Sequence, residues 1–546
     1  MVLLERRIGL LFGLFLVLLV LAGMRAMWLA GVQGSDLRGR ARTQQVQDLT
    51  IPARRGAITD RNGIELAVSE DSATVFANPQ QIRQPARTAQ RLAPLVGRPA
   101  EELLEDLSDR TKGFVYIARQ IDVAKGEAIE KLKVAGVGVT TEPRRRYPHG
   151  TLASQLVGAV GTDGYGLAGI EQSRERQLRG EDGRRRVTSD AVGQPVSIVD
   201  EKVGSPGESV RLTIDAAIQE RTEEVLSGVG QTFSPKAATA LVMNPRNGEI
   251  LALANWPPVD PRKFGDAPAE ERMNRAVAAS YEPGSTFKPV TVAGALEEGL
   301  VKPTTTFPVP PMLQVSDRTI HDAEPHGYLT LSVSEILAHS SNIGTVEIGL
   351  RLGVYRFDRW VNRFGFGRPT GVDIPGEQPG IVLKPYEYSG STIGNMPIGQ
   401  GLAVTPIQMA AAFGPIANRG VMNRPHVIAG TEPRPRRVIQ PSTARKVSRM
   451  LEGVLAPGGT AEEAKIPGYV LAGKTGTAQK PIPGGYSKTK YFASFIGFAP
   501  ARNPGLIVAV MVDEPNGSIY GGQVAAPAFQ KIASFALPYL KISPSG

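Results

Sequence analysis

The chain has no cysteine and only five histidines among its 546 residues. Without cysteine no disulfide can form, so the fold must rest on its hydrophobic core, and thiolate metal sites are excluded. The histidines that come closest in sequence are His321 and His326, and Pro325 between them favours a loop over a metal-binding helix. We therefore expect no metal at this position.

Long apolar runs are scarce as well, and one stands out, at residues 8–24. If Arg25 extends its charged end toward the lipid head groups, residues 8–30 are long enough to cross a membrane. A cleaved signal peptide is the alternative, but no small-x-small cleavage site follows the apolar core. Arg6 and Arg7 predict that the N-terminus lies in the cytoplasm and that everything from residue 31 onward lies outside it.

The net charge of +10 has a functional and a neutral interpretation. Basic surfaces attract anionic lipid head groups or acidic polymers, but most such charges simply face solvent. The two arginine runs, 144–146 and 184–186, are three residues long and too short for nucleic-acid-binding arms. We expect no nucleic-acid partner.

Periodicity predicts an α+β protein without internal repeats. Asn62-Gly63 predicts a hairpin turn early in the chain, and Asp215 is a plausible N-cap. Further strands form a sheet built from both ends of the later segment, with helices inserted between them. The predicted helices span residues 88–95, 100–107, 124–134, 216–228, 285–300, 331–339 and 526–536, and the predicted strands of the later sheet span 238–244, 248–255, 471–479, 491–498 and 506–512.

The Ser285-Thr286-Phe287-Lys288 motif places a serine and a lysine on one helix face. A serine hydroxyl needs a base to become a nucleophile, and lysine can serve once burial or a second cation lowers its pKa. The alternative is a helix cap. Ser487 and Lys490 match the same spacing, but their Gly-rich surroundings predict a solvated loop.

Two further motifs complete a possible catalytic set. Ser340-Ser341-Asn342 offers a hydroxyl that relays a proton and an amide that holds a substrate carbonyl, although polar helix-end chemistry is the commoner use. Lys474-Thr475-Gly476-Thr477 reads as an edge strand whose glycine marks a close ligand approach and whose backbone can pair with an extended peptide. Lys474 is a candidate for the second cation, and the alternative is a strand weakened by glycine.

Together with the rest of the chain, these motifs resemble the class B penicillin-binding proteins, and the division-specific FtsI type most closely. The Ser-x-x-Lys, Ser-x-Asn and Lys-Thr-Gly trio is typical of penicillin-binding proteins and class A β-lactamases. The resemblance runs from residue 1 to about residue 535 and includes residues 52–67 with Arg55-Gly56 and Asp60-Arg61-Asn62-Gly63, RYP (146–148), Gly158, GIE (169–171), LTID (212–215), Gln219, EPGSTFK (282–288), HSSNIG (339–344), GQGLAVTP (399–406), GKTGTA (473–478), YGG (520–522) and Ala526-Pro527.

The resemblance implies a peptidoglycan D,D-transpeptidase without a metal or organic cofactor. Ser285 is then the nucleophile, Lys288 its base, and Ser340 and Lys474 the groups that pass a proton to the leaving amine. The backbone N–H groups of Ser285 and Thr477 form the oxyanion hole. Substrate contacts come from Asn342, Thr475, Gly476 and Thr477.

It also implies an organisation, a location and partners. The protein would be a single-pass protein of the cytoplasmic membrane with its catalytic domain in the periplasm. Partners would be stem peptides on lipid-linked nascent strands, an FtsW-type glycosyltransferase, divisome proteins of the FtsQ, FtsL, FtsB and FtsN types, and β-lactams as covalent inhibitors. The domains would be a cytoplasmic tail (1–7), a transmembrane anchor (8–30), a stalk (31–48), an elongated α+β pedestal of the dimerisation type (49–215), a transpeptidase domain of the serine β-lactamase-like fold with a helical subdomain (216–540) and a C-terminal tail (541–546).

Several alternatives stay open at this point. The elongation-specific class B enzyme is the nearest, because it differs mainly in the pedestal and loops. A β-lactamase or lactam sensor shares the motif trio but does not usually combine a pedestal with one anchor. A catalytically dead divisome scaffold and a bifunctional synthase are the remaining ones, and the latter would need a glycosyltransferase domain in place of the pedestal.

Overall fold

The computed structural model describes residues 2–31, 46–189 and 195–544. Most of the predicted stalk, residues 32–45, lies outside the described residues. The α-helices span Val2–Gly31, Pro85–Val96, Ala100–Ser108, Val123–Lys131, Ser154–Val157, Gly169–Ser173, Glu175–Arg179, Ala216–Phe233, Ala269–Arg272, Arg275–Ala278, Lys288–Glu297, Val333–Ala338, Asn342–Leu352, Val354–Arg363, Thr392–Asn395, Pro406–Ala417, Pro441–Glu452 and Gly521–Tyr539.

The strands span Val46–Ile51, Ile58–Thr59, Glu65–Ala77, Val115–Ile121, Val137–Arg146, Gly183–Ser189, Pro195–Lys202, Val210–Arg211, Ala237–Met243, Ile250–Trp256, Thr306–Val309, Leu313–Val315, Arg318–Ile320, Leu329–Ser332, Val421–Met422, Arg436–Arg437, Ala472–Ile482, Gly485–Ala499 and Leu506–Asp513. Helices and antiparallel strands thus both occur along the described chain, and the predicted α+β class is confirmed.

The first helix, Val2–Gly31, contains the apolar run that the sequence singles out. Its segment Ile8–Trp28 has a mean hydropathy of 2.4 and packs against no other part of the described chain. By length and composition this segment can cross a membrane as a single-pass anchor. The helix also includes residues 2–7, which the sequence analysis assigned to a tail.

The chain divides into two compact units. The first consists of residues 1–54, 71–143 and 180–207. In it, the helices Pro85–Val96 and Ala100–Ser108 and the strand Val115–Ile121 share a small core of aliphatic side chains, including Leu92, Leu103 and Ile117. A separate three-stranded antiparallel sheet is formed by Val46–Ile51, Gly183–Ser189 and Pro195–Lys202.

The second unit consists of residues 55–70, 144–179 and 208–546, and a five-stranded sheet lies at its centre. All four neighbouring pairs in this sheet are antiparallel. Because the side chains of its inner strands are buried on both faces, these strands read as continuous apolar runs. The strand order is Ile250–Trp256, Ala237–Met243, Leu506–Asp513, Gly485–Ala499 and, at one edge, Ala472–Ile482.

Helices from the two ends of this unit complete its core. Asp215 caps the helix Ala216–Phe233, as predicted, because its carboxylate accepts hydrogen bonds from the N–H groups of Ala217 and Ile218. The last helix, Gly521–Tyr539, packs on the sheet, where Phe529 meets Phe495 edge to face at 4.8 Å.

Residues of the early motifs also meet inside the second unit. Glu171 is fully buried, and its two carboxylate oxygens accept hydrogen bonds from the Nε atoms of Arg55 and Arg145, each at 2.6 Å. Asp60 accepts a hydrogen bond from the backbone N–H of Ala216 at 3.1 Å. These contacts join motifs that lie far apart in the chain, since 116 positions separate Arg55 from Glu171.

Two sequence-based assignments outside the Ser285 motif need correction. The helix expected over residues 331–339 begins at Val333, because Leu331 and Ser332 pair with residues 306 and 307 in a strand, and Ser332 then caps the helix with Glu335. The loop expected around Ser487 is part of the strand Gly485–Ala499. Gly484 and Gly485, both with positive φ, supply a tight turn there instead of a long loop.

Candidate active site

Ser285 lies in a 3₁₀ turn, Gly284–Phe287, which we call the serine turn. The α-helix expected from residue 285 begins instead at Lys288 and ends at Glu297. The turn is held by close backbone contact, since the N–H of Gly284 donates to the carbonyl of Gly399 at 3.0 Å. A Cβ on Gly399 would lie 2.2 Å from the carbonyl oxygen of Gly284, so only glycine fits there.

Lys288 is fully buried, and three oxygen atoms surround its ammonium group. Its Nζ donates to the carbonyl of Ser340 at 2.5 Å, to Asn342 Oδ1 at 2.7 Å and to Ser340 Oγ at 3.2 Å. Burial lowers the pKa of Lys288 to about 7, although the carboxylate of Asp322 acts in the opposite direction. The group can therefore exchange a proton near neutral pH.

Ser340 holds an uncommon backbone conformation. It lies between the helices Val333–Ala338 and Asn342–Leu352 with φ at +60°, in the left-handed region that non-glycine residues rarely adopt. This conformation lets both its carbonyl and its hydroxyl reach Lys288. Strain of this kind occurs preferentially at functional sites.

Asp322 supports the Ser-x-Asn motif, and the sequence analysis missed it. Its carboxylate accepts hydrogen bonds from Ser341 Oγ at 2.7 Å and from the backbone N–H groups of Asn342 and Ile343 at 2.5 and 2.9 Å. His326 contacts the same carboxylate at 3.1 Å. The loop of residues 321–326 thus orients Asn342. The sequence analysis considered this loop only for metal binding, although the aspartate in it was a signal for a supporting role.

The edge strand, Ala472–Ile482, carries the third motif and is the last strand of the sheet, as predicted. Lys474 is fully buried, and its Nζ lies 3.3 Å from both the carbonyl and the hydroxyl oxygen of Thr475. Burial, and then the positive charge of Lys288, lower the pKa of Lys474 well below its ordinary value. Lys288 is therefore close enough to disfavour the positive charge of Lys474.

Gly476 is where the edge strand touches the serine turn. A Cβ at this position would lie 2.4 Å from Ser494 Oγ, 3.0 Å from Thr286 Cγ2 and 3.1 Å from the carbonyl oxygen of Pro283. The glycine therefore allows a close approach that any side chain would prevent. One residue further, Thr477 Oγ1 accepts a hydrogen bond from the N–H of Gly521 at 3.2 Å.

The structure thus joins Lys288 to Ser340 and Asn342 by hydrogen bonds and brings the strand with Lys474, Thr475, Gly476 and Thr477 against the turn with Ser285. Within the described part of the chain, no hydrogen bond joins Lys288 to Ser285. Ser487 is buried in its strand, where its Oγ accepts hydrogen bonds from the N–H groups of Thr489 and Lys490. This second Ser-x-x-Lys match has a local structural use.

A serine turn, a buried lysine of lowered pKa and a glycine-containing edge strand define a serine acyltransferase of the penicillin-binding type. The family model of the penicillin binding protein transpeptidase domain matches residues 238–534, and that of the penicillin-binding protein dimerisation domain matches residues 50–212. The chain belongs to the class B penicillin-binding proteins, which are serine D,D-transpeptidases of peptidoglycan synthesis.

Named relatives and solved structures agree with this family. The chain is 35% identical to the probable peptidoglycan D,D-transpeptidase PenA of Neisseria meningitidis, over 98% of this chain and 93% of that protein. It is 31% identical to the peptidoglycan D,D-transpeptidase FtsI of Escherichia coli, over 98% and 92%. A crystal structure of penicillin-binding protein 3 from Mycobacterium tuberculosis in complex with aztreonam matches with a TM-score of 0.72 at 30% identity, over 91% of this chain and 98% of that one.

Proposed function

We propose that this transpeptidase works through an acyl-enzyme on Ser285 and cross-links stem peptides of septal peptidoglycan. Lys288 takes the proton of the Ser285 hydroxyl, and the oxygen attacks the carbonyl of the penultimate D-Ala. The oxyanion accepts hydrogen bonds from the backbone N–H groups of Ser285 and Thr477. Collapse breaks the bond to the terminal D-Ala, whose amine leaves with a proton passed through Ser340 and Lys474.

The second half of the reaction regenerates the serine. The side-chain amine of a neighbouring stem attacks the ester carbonyl, forms the cross-linking amide and returns the hydroxyl to Ser285. Asn342 holds the amide of the donor stem, while Thr475 and Thr477 bind its terminal carboxylate and Lys474 supplies positive charge. The glycine at 476 lets the peptide lie close to the edge strand.

The observation that carries this proposal is the state of Lys288. A lysine with a pKa of about 7 is half deprotonated near neutral pH, so it can act as a base where an ordinary lysine cannot. Its three oxygen neighbours fix the position of the ammonium nitrogen. The nitrogen also contacts the hydroxyl of Ser340, which is the first group of the proposed proton route.

A covalent label tests the nucleophile. Full-length protein in detergent is incubated with a fluorescent penicillin, and the label on the denatured chain is quantified. We expect labelling of the wild type and none of Ser285→Ala. The matched control is Ser487→Ala, which removes the other Ser-x-x-Lys serine and should label like the wild type. Equal labelling of the wild type and Ser285→Ala would refute the assignment.

The septal part of this proposal rests on the resemblance to the division-specific FtsI type, and the relatives include the peptidoglycan D,D-transpeptidase FtsI of E. coli. It implies a cytoplasmic N-terminus, a periplasmic catalytic unit and contacts with FtsW-type, FtsQ, FtsL, FtsB and FtsN-type proteins. Depletion in the native host distinguishes the role, because loss of septal synthesis leaves filaments, whereas round cells would identify the elongation-specific enzyme instead.

A further inference from the structure

Glu282 is a buried carboxyl group that the proposed reaction does not use. It immediately precedes the Pro283-Gly284-Ser285 segment and is 8% exposed. Its Oε1 accepts hydrogen bonds from the backbone N–H of Gly401 at 3.0 Å and from Tyr486 Oη at 3.1 Å. Its other oxygen is covered and has no hydrogen-bond partner among the described residues.

The three groups that meet at Glu282 come from three different parts of the second unit. Glu282 leads into the serine turn, and Gly401 belongs to the loop that contacts Gly284 through Gly399. Tyr486 lies on the hairpin that extends the edge strand, where it pairs with Pro481. One carboxyl group therefore links the element that carries Ser285 to the strand Gly485–Ala499, which pairs with the edge strand that carries Thr477.

These links complement the contact on the other side of the turn. Gly476 sets how closely the edge strand approaches Thr286 and Pro283. The hydrogen bond from Tyr486 to Glu282 holds the segment that leads into the serine turn beside the end of the edge strand. Both contacts bear on the segments that carry the backbone N–H groups of Ser285 and Thr477. Hydrogen-bond donors stabilise an oxyanion only when they are held in place before charge develops.

We infer that Glu282 is a positioning residue that fixes the serine turn against the edge-strand hairpin and so sets the geometry of the oxyanion hole. Glu282 borders a cavity of about 670 Å³ lined also by Tyr281, Leu402 and Phe492. Removing its carboxyl group enlarges this space and leaves Gly401 N and Tyr486 Oη without their acceptor. This inference rests on the proposed acyl-enzyme at Ser285.

The test separates binding from acylation. Full-length protein in detergent reacts with a chromogenic β-lactam under single-turnover conditions, which gives the dissociation constant KS of the first complex and the acylation rate constant k2. Because the oxyanion hole acts in the transition state, we expect Glu282→Ala to lower k2 by about 10- to 100-fold with KS changed less than about threefold. Tyr486→Phe removes one of the two bonds and should give a smaller loss of k2.

The conservative variant and a control distinguish positioning from loss of stability. Glu282→Gln keeps an acceptor oxygen for both donors and should restore k2 to within about threefold of the wild type. Asp373→Ala removes a carboxylate that likewise accepts two backbone hydrogen bonds, from Val427 and Ile428, outside the serine turn and edge strand. It should lower the unfolding temperature and leave k2 unchanged.

Three results would overturn the inference. These are an unchanged k2 in Glu282→Ala, a Gln variant as slow as the Ala variant, or an Asp373→Ala variant with the same loss of k2. If Glu282→Ala fails to fold, Tyr486→Phe still decides, because a lowered k2 supports the inference and an unchanged k2 overturns it. If only this inference fails, the fluorescent penicillin still labels the wild type and not Ser285→Ala. If the proposed function fails, Ser285→Ala is labelled as strongly as the wild type.

Discussion

Asp322 and Asn342 are joined by a hydrogen bond of 2.5 Å from the backbone N–H of Asn342 to Asp322 Oδ1. The side chain of the same asparagine accepts a hydrogen bond from Lys288 Nζ through its Oδ1 at 2.7 Å. Asp322 thus acts on the proposed base in two ways: it orients one of the oxygens around Lys288, and its negative charge raises the pKa of that lysine against the effect of burial.

The charge effect predicts a shifted pH profile for Asp322→Asn. The amide keeps an oxygen for the N–H groups of Asn342 and Ile343 but removes the negative charge, so the pKa of Lys288 should fall further. The ascending limb of k2/KS against pH should therefore move to lower pH than in the wild type. Stopped-flow acylation across about pH 5 to 9 checks this. A limb that stays in place, or that moves to higher pH, would contradict the prediction.

The wild-type profile follows from Lys288 itself. Because its pKa is lowered to about 7, the neutral form that accepts the serine proton increases as pH rises through that value. We expect k2/KS to rise about tenfold per pH unit below pH 7 and to level off above it, up to the next ionisation. Lys288→Arg should abolish acylation, because arginine keeps its proton at any pH of the assay. A profile that is flat between about pH 5.5 and 8 would exclude Lys288 as the base.

The sequence allowed the main framework of the fold and site to be predicted, because the relevant signals are local. Serine and lysine three residues apart, the Asp215 cap and the apolar strands of the central sheet depend on nearest neighbours along the chain. Asp322 and Glu282 act through contacts with distant segments, and Glu282 meets Tyr486 across 204 positions. Periodicity contains no information about such pairs, so the contacts of these two carboxyl groups became visible only in the fold.

Ser487 shows the same limit from the opposite side. The glycines and lysines around Ser487 are typical of a solvated loop. Gly484 and Gly485, however, have positive φ and close a hairpin. The segment then pairs with the edge strand, and Ser487 turns inward. Whether a Gly-rich stretch forms a loop or a tight turn depends on whether the strands on its two sides pair with each other. The composition of the stretch itself does not indicate that pairing.

Gly476→Ala should impair acylation by pushing the serine turn away from the edge strand. The added methyl group would lie 2.4 Å from Ser494 Oγ and 3.0 Å from Thr286 Cγ2, so at least one of these groups must move. We expect k2 for a β-lactam to fall by about tenfold or more, because small displacements of reacting groups have large effects on rate. Quantitative penicillin labelling over time measures this.

Gly228→Ala is the matched control for this substitution. Gly228 lies in the helix Ala216–Phe233, and a Cβ there meets no atom within 4 Å. Alanine in a helix is more stable than glycine by about 0.5–1 kcal/mol. This variant should therefore have a slightly higher unfolding temperature than the wild type and the same acylation rate. If both alanine variants acylate at the wild-type rate, the close approach at Gly476 has no role in the reaction.

The buried ion pairs around Glu171 predict a large difference in stability between two otherwise similar substitutions. Glu171→Gln removes the negative charge that faces the guanidinium groups of Arg55 and Arg145, whose side chains are only 6% and 5% exposed. Arg55 keeps a second carboxylate, Glu175 at 2.7 Å, so the loss falls mainly on Arg145. A buried charge left without its partner costs about 3–5 kcal/mol. Glu70 also pairs with two arginines, Arg144 and Arg146, but it is 28% exposed and water can replace it.

Glu70→Gln should therefore cost no more than about 1 kcal/mol, as exposed ion pairs do. Urea unfolding of the full-length chain in detergent, followed by tryptophan fluorescence, measures both variants, since Trp256 and Trp360 lie in the same unit as Glu171 and Glu70. The midpoint for Glu171→Gln should fall well below that of Glu70→Gln. Equal midpoints would mean that the buried arginines find other partners or water once Glu171 loses its charge. The ion pairs of Glu171 with Arg55 and Arg145 would then not stabilise this unit.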